Sequence, residues 1–137
     1  MVHGKFFGSV NFDAPVAANS CGIFLLLRYF CTAAFEGVPG PEHYNPMGIV
    51  HGGYAATLLD SACGIAVVTK LTEDQAMTTL ELKTSYLKAM TGKTGKVRAE
   101  GRVISIGRRV AYTEASLTDE AGRLLATATS TLLVINP

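Results

Sequence analysis

The sequence has few of the residues that build disulfide frameworks and metal centres. Its three cysteines, Cys21, Cys31 and Cys63, form an odd set without CxxC spacing, which argues against structural disulfides and against a zinc site. The three histidines are scattered and have no HxxxH or HxH partner. We therefore expect no metal ion, and we expect the chain to work in the reducing cytoplasm.

A long apolar run and a strong net charge are also missing. The most apolar N-terminal run, residues 21–35, is interrupted by Arg28 and is shorter than the about 20 residues that a membrane-spanning helix needs. Residues 1–11 do not have the order of a secretory signal, in which an apolar stretch follows a basic start. The net charge of +1 gives no reason to expect a nucleic acid or a membrane surface as a partner.

The apolar content is sufficient for one domain. A chain of 137 residues, 48% hydrophobic and 17% charged, fits a single compact domain over residues 1–137. We interpret residues 1–34 as an atypical lead-in, in which a short helix or irregular segment precedes a strand from about residue 24 to 35. Residues 38–48 are dense in proline and glycine and predict a loop.

The rest of the sequence predicts one helix and four strands. Residues 52–69 contain no proline and no charge except Asp60, which is typical of a helix that is apolar nearly all round and must be enclosed. The segments that follow alternate apolar and polar residues, with turn signals between them; they are residues 77–90, 96–106, 110–118 and 123–135. Together they predict an α+β fold of the hotdog type, a long central helix wrapped by a curved antiparallel sheet of five to six strands.

Asp60 is the outlier in the predicted helix. An ionised carboxylate in apolar surroundings is costly unless another group pairs with it. Either this side of the helix faces solvent, or the acid is kept because a reaction needs it, with its pKa set by partial burial.

The start of the helix offers a second reactive feature. Backbone N–H groups and the helix dipole at His51, Gly52 and Gly53 can stabilise developing negative charge. Acyl transfer needs such an oxyanion hole because the carbonyl oxygen becomes charged in the transition state. The glycines could instead only permit tight packing of the helix on the sheet. Asn45 could add an amide donor, or could serve only the turn before Pro46.

Residues 45–62, NPMGIVHGGYAATLLDSA, carry a family resemblance. This stretch is similar to the signature of PaaI-type hotdog acyl-CoA thioesterases, because an amide residue, an HGG tripeptide and an acid recur in it at fixed spacing. The similarity extends more weakly through residues 78–83 and 107–109, and it covers roughly residues 35–135. Residues 1–34 do not look like the usual opening of the family.

The resemblance implies hydrolysis of an acyl- or arylacyl-CoA thioester to free acid and CoA without a metal or organic cofactor. Asp60 would be the nucleophile or the general base, and the Gly52 N–H would polarise the thioester carbonyl. Asn45 and His51 would hold the carbonyl or orient the site. Thr79 would position the water.

Three further positions matter to the resemblance. Arg108 and Arg109 fall where family members often place basic residues against CoA phosphates, although an exposed turn explains them equally well. From Glu81 onward the sequence contains nine basic and five acidic residues, and this excess of positive charge agrees with an anionic ligand. Some branches of the family carry Ser or Thr one turn after the acid, whereas this chain has Gly64.

The spacing of the site residues predicts a homodimer with shared active sites. Gly52 and Asp60 are eight residues apart, which is about 12 Å along a helix and about 80° round it. One helix can hardly serve both ends of the reaction, so we expect the two groups to come from different copies of the chain. The resemblance agrees and extends the assembly to a homotetramer.

Two other functions stay open. Hotdog enoyl-CoA hydratases and dehydratases pair a histidine with a carboxylate for proton transfer at carbon. A non-catalytic acyl-CoA binding module would keep Asp60 as an idle remnant.

Overall fold

The computed structural model describes residues 23–29 and 31–137, which form six strands and one long helix. The strands are β1 (Ile23–Tyr29), β2 (Thr32–Gly37), β3 (Ala76–Tyr86), β4 (Val97–Ile106), β5 (Val110–Asp119) and β6 (Leu124–Ile135). The helix α1 covers Gly52–Val68 and follows a short 3-10 helix at Pro41–His43. The sheet order is β1-β2-β4-β5-β6-β3, and every neighbouring pair is antiparallel. The predicted hotdog architecture is thus confirmed.

The first predicted strand is wrong in one respect, because residues 24–35 form a hairpin rather than one strand. Tyr29 pairs with Thr32 across a tight turn, and Cys31 in that turn has a φ of 72°. No glycine or proline marks the turn in the sequence, so the apolar run looked continuous. The expected lead-in before residue 23 lies outside the described residues.

The turn at Cys31 is held by groups that are distant in the sequence. The Cys31 N–H donates to Oγ1 of Thr69, at the end of α1, at 2.9 Å. The Cys31 carbonyl accepts the Val103 N–H of β4, also at 2.9 Å. A positive φ is unfavourable for a residue with a Cβ, so these tertiary contacts stabilise what the local sequence does not favour.

Small side chains let α1 pack closely on the sheet. A Cβ at Gly101 of β4 would lie 2.4 Å from the backbone of Ala62, so only glycine fits under the helix there. The core around it consists mainly of alanine, leucine and valine side chains, including Leu58, Leu59 and Leu117. This close packing fixes the position of the middle of α1, where Asp60 lies.

One stripe of α1 is open in the chain by itself. Gly53 and Thr57 are exposed and Asp60 and Ser61 are half-buried, while Leu58 and Leu59 are buried. The prediction that the helix must be enclosed therefore holds for only part of its circumference. The sheet ends at β3 on the side nearest this stripe. In the described part of the chain, no helix is long and apolar enough to cross a membrane.

Candidate active site

The Asp60 carboxylate is hydrogen-bonded to one side chain of the sheet. The Thr79 hydroxyl of β3 donates a hydrogen bond to Oδ1 of Asp60 at 3.0 Å. Within the described residues, the carboxylate makes no ion pair. Asp60 is half-buried on the open stripe, where a substrate or a second chain can reach it.

A β-bulge next to Thr79 makes this contact possible. The pairing of β3 with β6 shifts register between Thr79 and Glu81, and Leu80 between them is 58% exposed. The bulge lets Thr79 face the helix together with Leu82 and Tyr86, although strict alternation would place it on the other face. Bulges often re-aim side chains next to active sites.

The start of α1 presents the backbone N–H group of Gly52. His51 is the N-cap residue, and its Nδ1 accepts the Gly53 N–H at 2.9 Å. Its carbonyl accepts the Tyr54 N–H at 3.0 Å. The Gly52 N–H has no acceptor within the described residues, so it is the donor at this end that a ligand can use. Because Nδ1 of His51 accepts a hydrogen bond, the neutral ring carries its proton on Nε2, where it can also donate.

Asn45 lies in the loop that leads to the helix. Its Oδ1 accepts the backbone N–H groups of Met47 at 2.9 Å and Ile49 at 3.4 Å. The loop is closed by the Tyr44–Val50 bridge and by the His51 N–H, which donates to the carbonyl of His43 at 2.7 Å. The oxygen of Asn45 therefore builds the turn, as the simpler interpretation expected, and its amide nitrogen is the part that could serve a substrate.

The candidate residues form two groups in one chain. Asn45, His51 and Gly52 lie together at the start of α1, and Asp60 and Thr79 lie together about 12 Å further along the helix. Arg108 and Arg109 are exposed in the turn between β4 and β5.

The arginine turn lies at the opposite end of the sheet from Gly52. The Arg109 carbonyl accepts the N–H of Val134, and Val134 packs with Val67 near the end of α1. Neither arginine side chain has an ion pair in the described part of the chain. Both arginines are thus on the side of Asp60 rather than of Gly52.

Gly64 lies against a neighbour on β3. A Cβ at Gly64 would lie 2.9 Å from Cε of Met77. The contact is with the flexible end of the methionine, so a larger side chain at position 64 would require Met77 to move. Gly64 offers no hydroxyl, and the hydroxyl that reaches Asp60 is that of Thr79 on β3.

Tyr86 contacts the start of α1, which the sequence did not predict. Its hydroxyl donates to the carbonyl of Gly52 at 3.1 Å. The sequence placed it only on one face of a strand, since nothing local indicates that the end of β3 reaches the start of α1.

Comparison with known proteins gives consistent matches. The model of the thioesterase superfamily matches residues 47–126. A 1,4-dihydroxy-2-naphthoyl-CoA hydrolase of Listeria monocytogenes is 29% identical over 91 residues, which are 66% of this chain and 72% of that protein. The medium/long-chain acyl-CoA thioesterase YigI of Salmonella typhimurium is 28% identical over 120 residues, covering 78% of this chain and 76% of YigI. Other curated relatives are longer than this chain, and the match covers only 46% of one relative from Caenorhabditis elegans.

A solved structure agrees in fold. A mutant of the phenylacetic acid degradation protein PaaI from Thermus thermophilus superposes with a TM-score of 0.75 at 25% identity, covering 82% of this chain and 93% of PaaI.

Proposed function

Because the chain belongs to the thioesterase superfamily, we propose that it hydrolyses acyl-CoA thioesters to free acid and CoA. The observation that carries this proposal is the pairing of two features of α1. A half-buried carboxylate at Asp60 is held by one hydroxyl, and a backbone donor at Gly52 is left without an acceptor in the described residues. Acyl transfer needs both a base or nucleophile and an oxyanion donor.

The proposed reaction begins with the thioester oxygen at the start of α1. The Gly52 N–H, the Asn45 amide and Nε2–H of His51 are the donors assigned to this oxygen. They stabilise the negative charge that develops when the carbonyl carbon is attacked, and the loss of one such donor costs about 2.7 to 4 kcal/mol.

Asp60 supplies the attack in one of two ways. As a general base, it takes a proton from water while the water oxygen bonds to the carbonyl carbon, and the carbon–sulfur bond then breaks to release CoA as thiolate. As a nucleophile, Asp60 forms a mixed anhydride that water hydrolyses in a second step. In either case Thr79 holds the carboxylate in place and has lone pairs that can position the water.

The active site is proposed to be shared between two chains. Within one chain the donor group and Asp60 are about 12 Å apart, too far for a carbonyl carbon that needs about 3 to 3.5 Å to its attacking atom. Met47 in the loop before α1, Leu80 of β3 and Leu87 just after β3 are 79%, 58% and 54% exposed. A second copy against the open edge of β3 would cover these side chains and bring its own Gly52 towards Asp60.

Arg108 and Arg109 are proposed to bind CoA phosphates. Their guanidinium groups make no ion pair in the described part of the chain, unlike those of Arg98, Arg102 and Arg123. Guanidinium groups suit phosphate oxygens because their donors match the geometry of the anion.

A panel of acyl-CoA substrates tests the proposal. The purified chain is expected to release free thiol from at least one member of a panel of short, long and aryl acyl chains. Asp60→Asn is the control that should abolish this release. Addition of water to an enoyl-CoA without thiol release would identify a hydratase instead, and tight acyl-CoA binding without either reaction would identify a binding module.

A further inference from the structure

The peptide between Gly52 and Gly53 is held at both ends by side chains. Its N–H, on Gly53, donates to Nδ1 of His51 at 2.9 Å. Its carbonyl, on Gly52, accepts the hydroxyl proton of Tyr86 at 3.1 Å. Tyr86 is the last residue of β3, so the sheet contacts the first turn of α1 here.

Both glycines leave room for these contacts. A Cβ on Gly52 would lie 3.0 to 3.1 Å from the ring and hydroxyl of Tyr86, and a Cβ on Gly53 would lie 3.0 Å from Nδ1 of His51. Two consecutive glycines also have the greatest backbone freedom, which is costly to restrict at a helix start. The hydrogen bonds of His51 and Tyr86 restrict the backbone freedom of the glycine pair, which a Cβ would otherwise limit.

We propose that Tyr86 is a positioning residue for the oxyanion donor. Its hydroxyl and the His51 imidazole fix the Gly52–Gly53 peptide from opposite ends, and the fixed peptide sets the direction of the adjacent Gly52 N–H. The inference rests on the proposed function. A donor contributes to catalysis when it is oriented before the charge develops, and Tyr86 acts on the reaction only through Gly52.

Tyr86→Phe removes the hydroxyl and keeps the ring that packs on Gly52. Its kcat should fall about fivefold, the worth of one neutral hydrogen bond, while KM stays unchanged. The Gly53 amide, followed by hydrogen exchange in NMR spectra, should exchange faster because its peptide has lost one of two anchors.

Tyr112→Phe is the matched control. Tyr112 is 52% exposed and Tyr86 is 57% exposed, but Tyr112 lies on β5 between the buried residues Ala111 and Thr113, so it points away from the helix. Its substitution should change neither kcat nor the Gly53 exchange.

Four outcomes are decisive. Unchanged kcat in an active Tyr86→Phe enzyme, or an equal change in both tyrosine variants, overturns the positioning role. A rise in KM with unchanged kcat also overturns it, because Tyr86 would then be a substrate-binding wall. If the parent chain releases no thiol from any substrate, the proposed function fails. Unchanged Gly53 exchange in Tyr86→Phe would then separately refute the proposal that Tyr86 fixes the Gly52–Gly53 peptide.

Discussion

Asp60 in the middle of α1 and Asp119 at the end of β5 are two carboxylates that the fold treats in opposite ways. Oδ1 of Asp119 accepts the backbone N–H groups of Ala121 and Arg123 at 3.0 and 2.9 Å, and Oδ2 accepts Nε–H of Arg123 at 2.6 Å. The pKa of Asp119 is lowered, chiefly by the backbone N–H of Arg123 and further by its guanidinium. Asp60 has one hydroxyl from Thr79.

The difference indicates what each acid does. Asp119 uses its oxygens within its own hairpin, so it stabilises the turn between β5 and β6. Asp60 lies in the middle of α1, and its carboxylate oxygens can accept further hydrogen bonds, which supports the role proposed for it as base or nucleophile. The arginines divide in the same way, since Arg123 is paired with Asp119, whereas Arg108 and Arg109 have no ion pair in the part of the chain that the structure describes.

The largest expected effect follows from removing the charge of Asp60. Asp60→Asn should lower turnover of the preferred acyl-CoA by about a hundredfold or more, because neither a base nor a nucleophile remains. Circular dichroism and the melting temperature should stay near those of the parent. Near-normal turnover would end the contrast between the two carboxylates, since Asp60 would then also be structural.

Mixed dimers test where the partners of Asp60 come from. Asp60→Asn and Asn45→Ala, each inactive alone, should recover activity when refolded or expressed together. Random assembly makes about half of the dimers mixed, and one site of each mixed dimer is intact, so about one quarter of all sites should recover.

This rescue requires that Asn45→Ala alone is severely impaired, which is measured first. If mixed dimers are demonstrated by mass spectrometry and activity stays at the level of the single variants, Asp60 works with the helix start of its own chain.

The unpaired arginines should affect binding more than turnover. Replacing Arg108 and Arg109 together with alanine should raise KM for acyl-CoA several-fold, reduce its dependence on salt, and change kcat little. Arg98→Ala, at an arginine that is already paired with Glu36 and Glu100, is the control that should leave KM unchanged. Equal effects of the two replacements on KM would show that Arg108 and Arg109 are solvated turn residues that do not bind the CoA phosphates.

The smallest effect on catalysis is expected at the other carboxylate. Asp119→Asn should leave kcat and KM unchanged and lower the melting temperature by a few degrees at neutral pH. A lowered pKa in the folded state stabilises the protein above the unfolded value of 3.8 and loses that contribution as the pH falls through the folded value. The difference in melting temperature between parent and variant should therefore shrink in this acidic range, as thermal unfolding at several pH values can measure.

The sequence was sufficient for the fold and for the residues at the helix. Strict alternation predicted β4, β5 and β6 to within one residue at each end, because each of these strands has one buried and one solvated face. Asp60 and the helix start were identifiable because a charge in an apolar helix and a glycine pair at its start are local anomalies. Their roles in the reaction stay predictions.

Contacts between distant segments could not be predicted from the sequence. The bulge at Leu80 reverses the faces of β3, so alternation alone would have turned Thr79 away from Asp60, and only the family resemblance singled it out. Tyr86 was missed because its partner is a backbone carbonyl 34 residues away. The hairpin at Cys31 was missed because its stabilising contacts are also tertiary.

The turn at Cys31 has a consequence for the order of folding. Most hairpins close early because their own turn residues favour the reversal, but this one uses a cysteine at a φ of 72°. Its anchors are Thr69 and Val103, which follow 38 and 72 residues later in the chain. Because β1 and β2 precede these anchors in the chain, the contacts that hold their turn form only when β4 is available, and we expect the β1 edge of the sheet to be among the last parts to gain protection during folding.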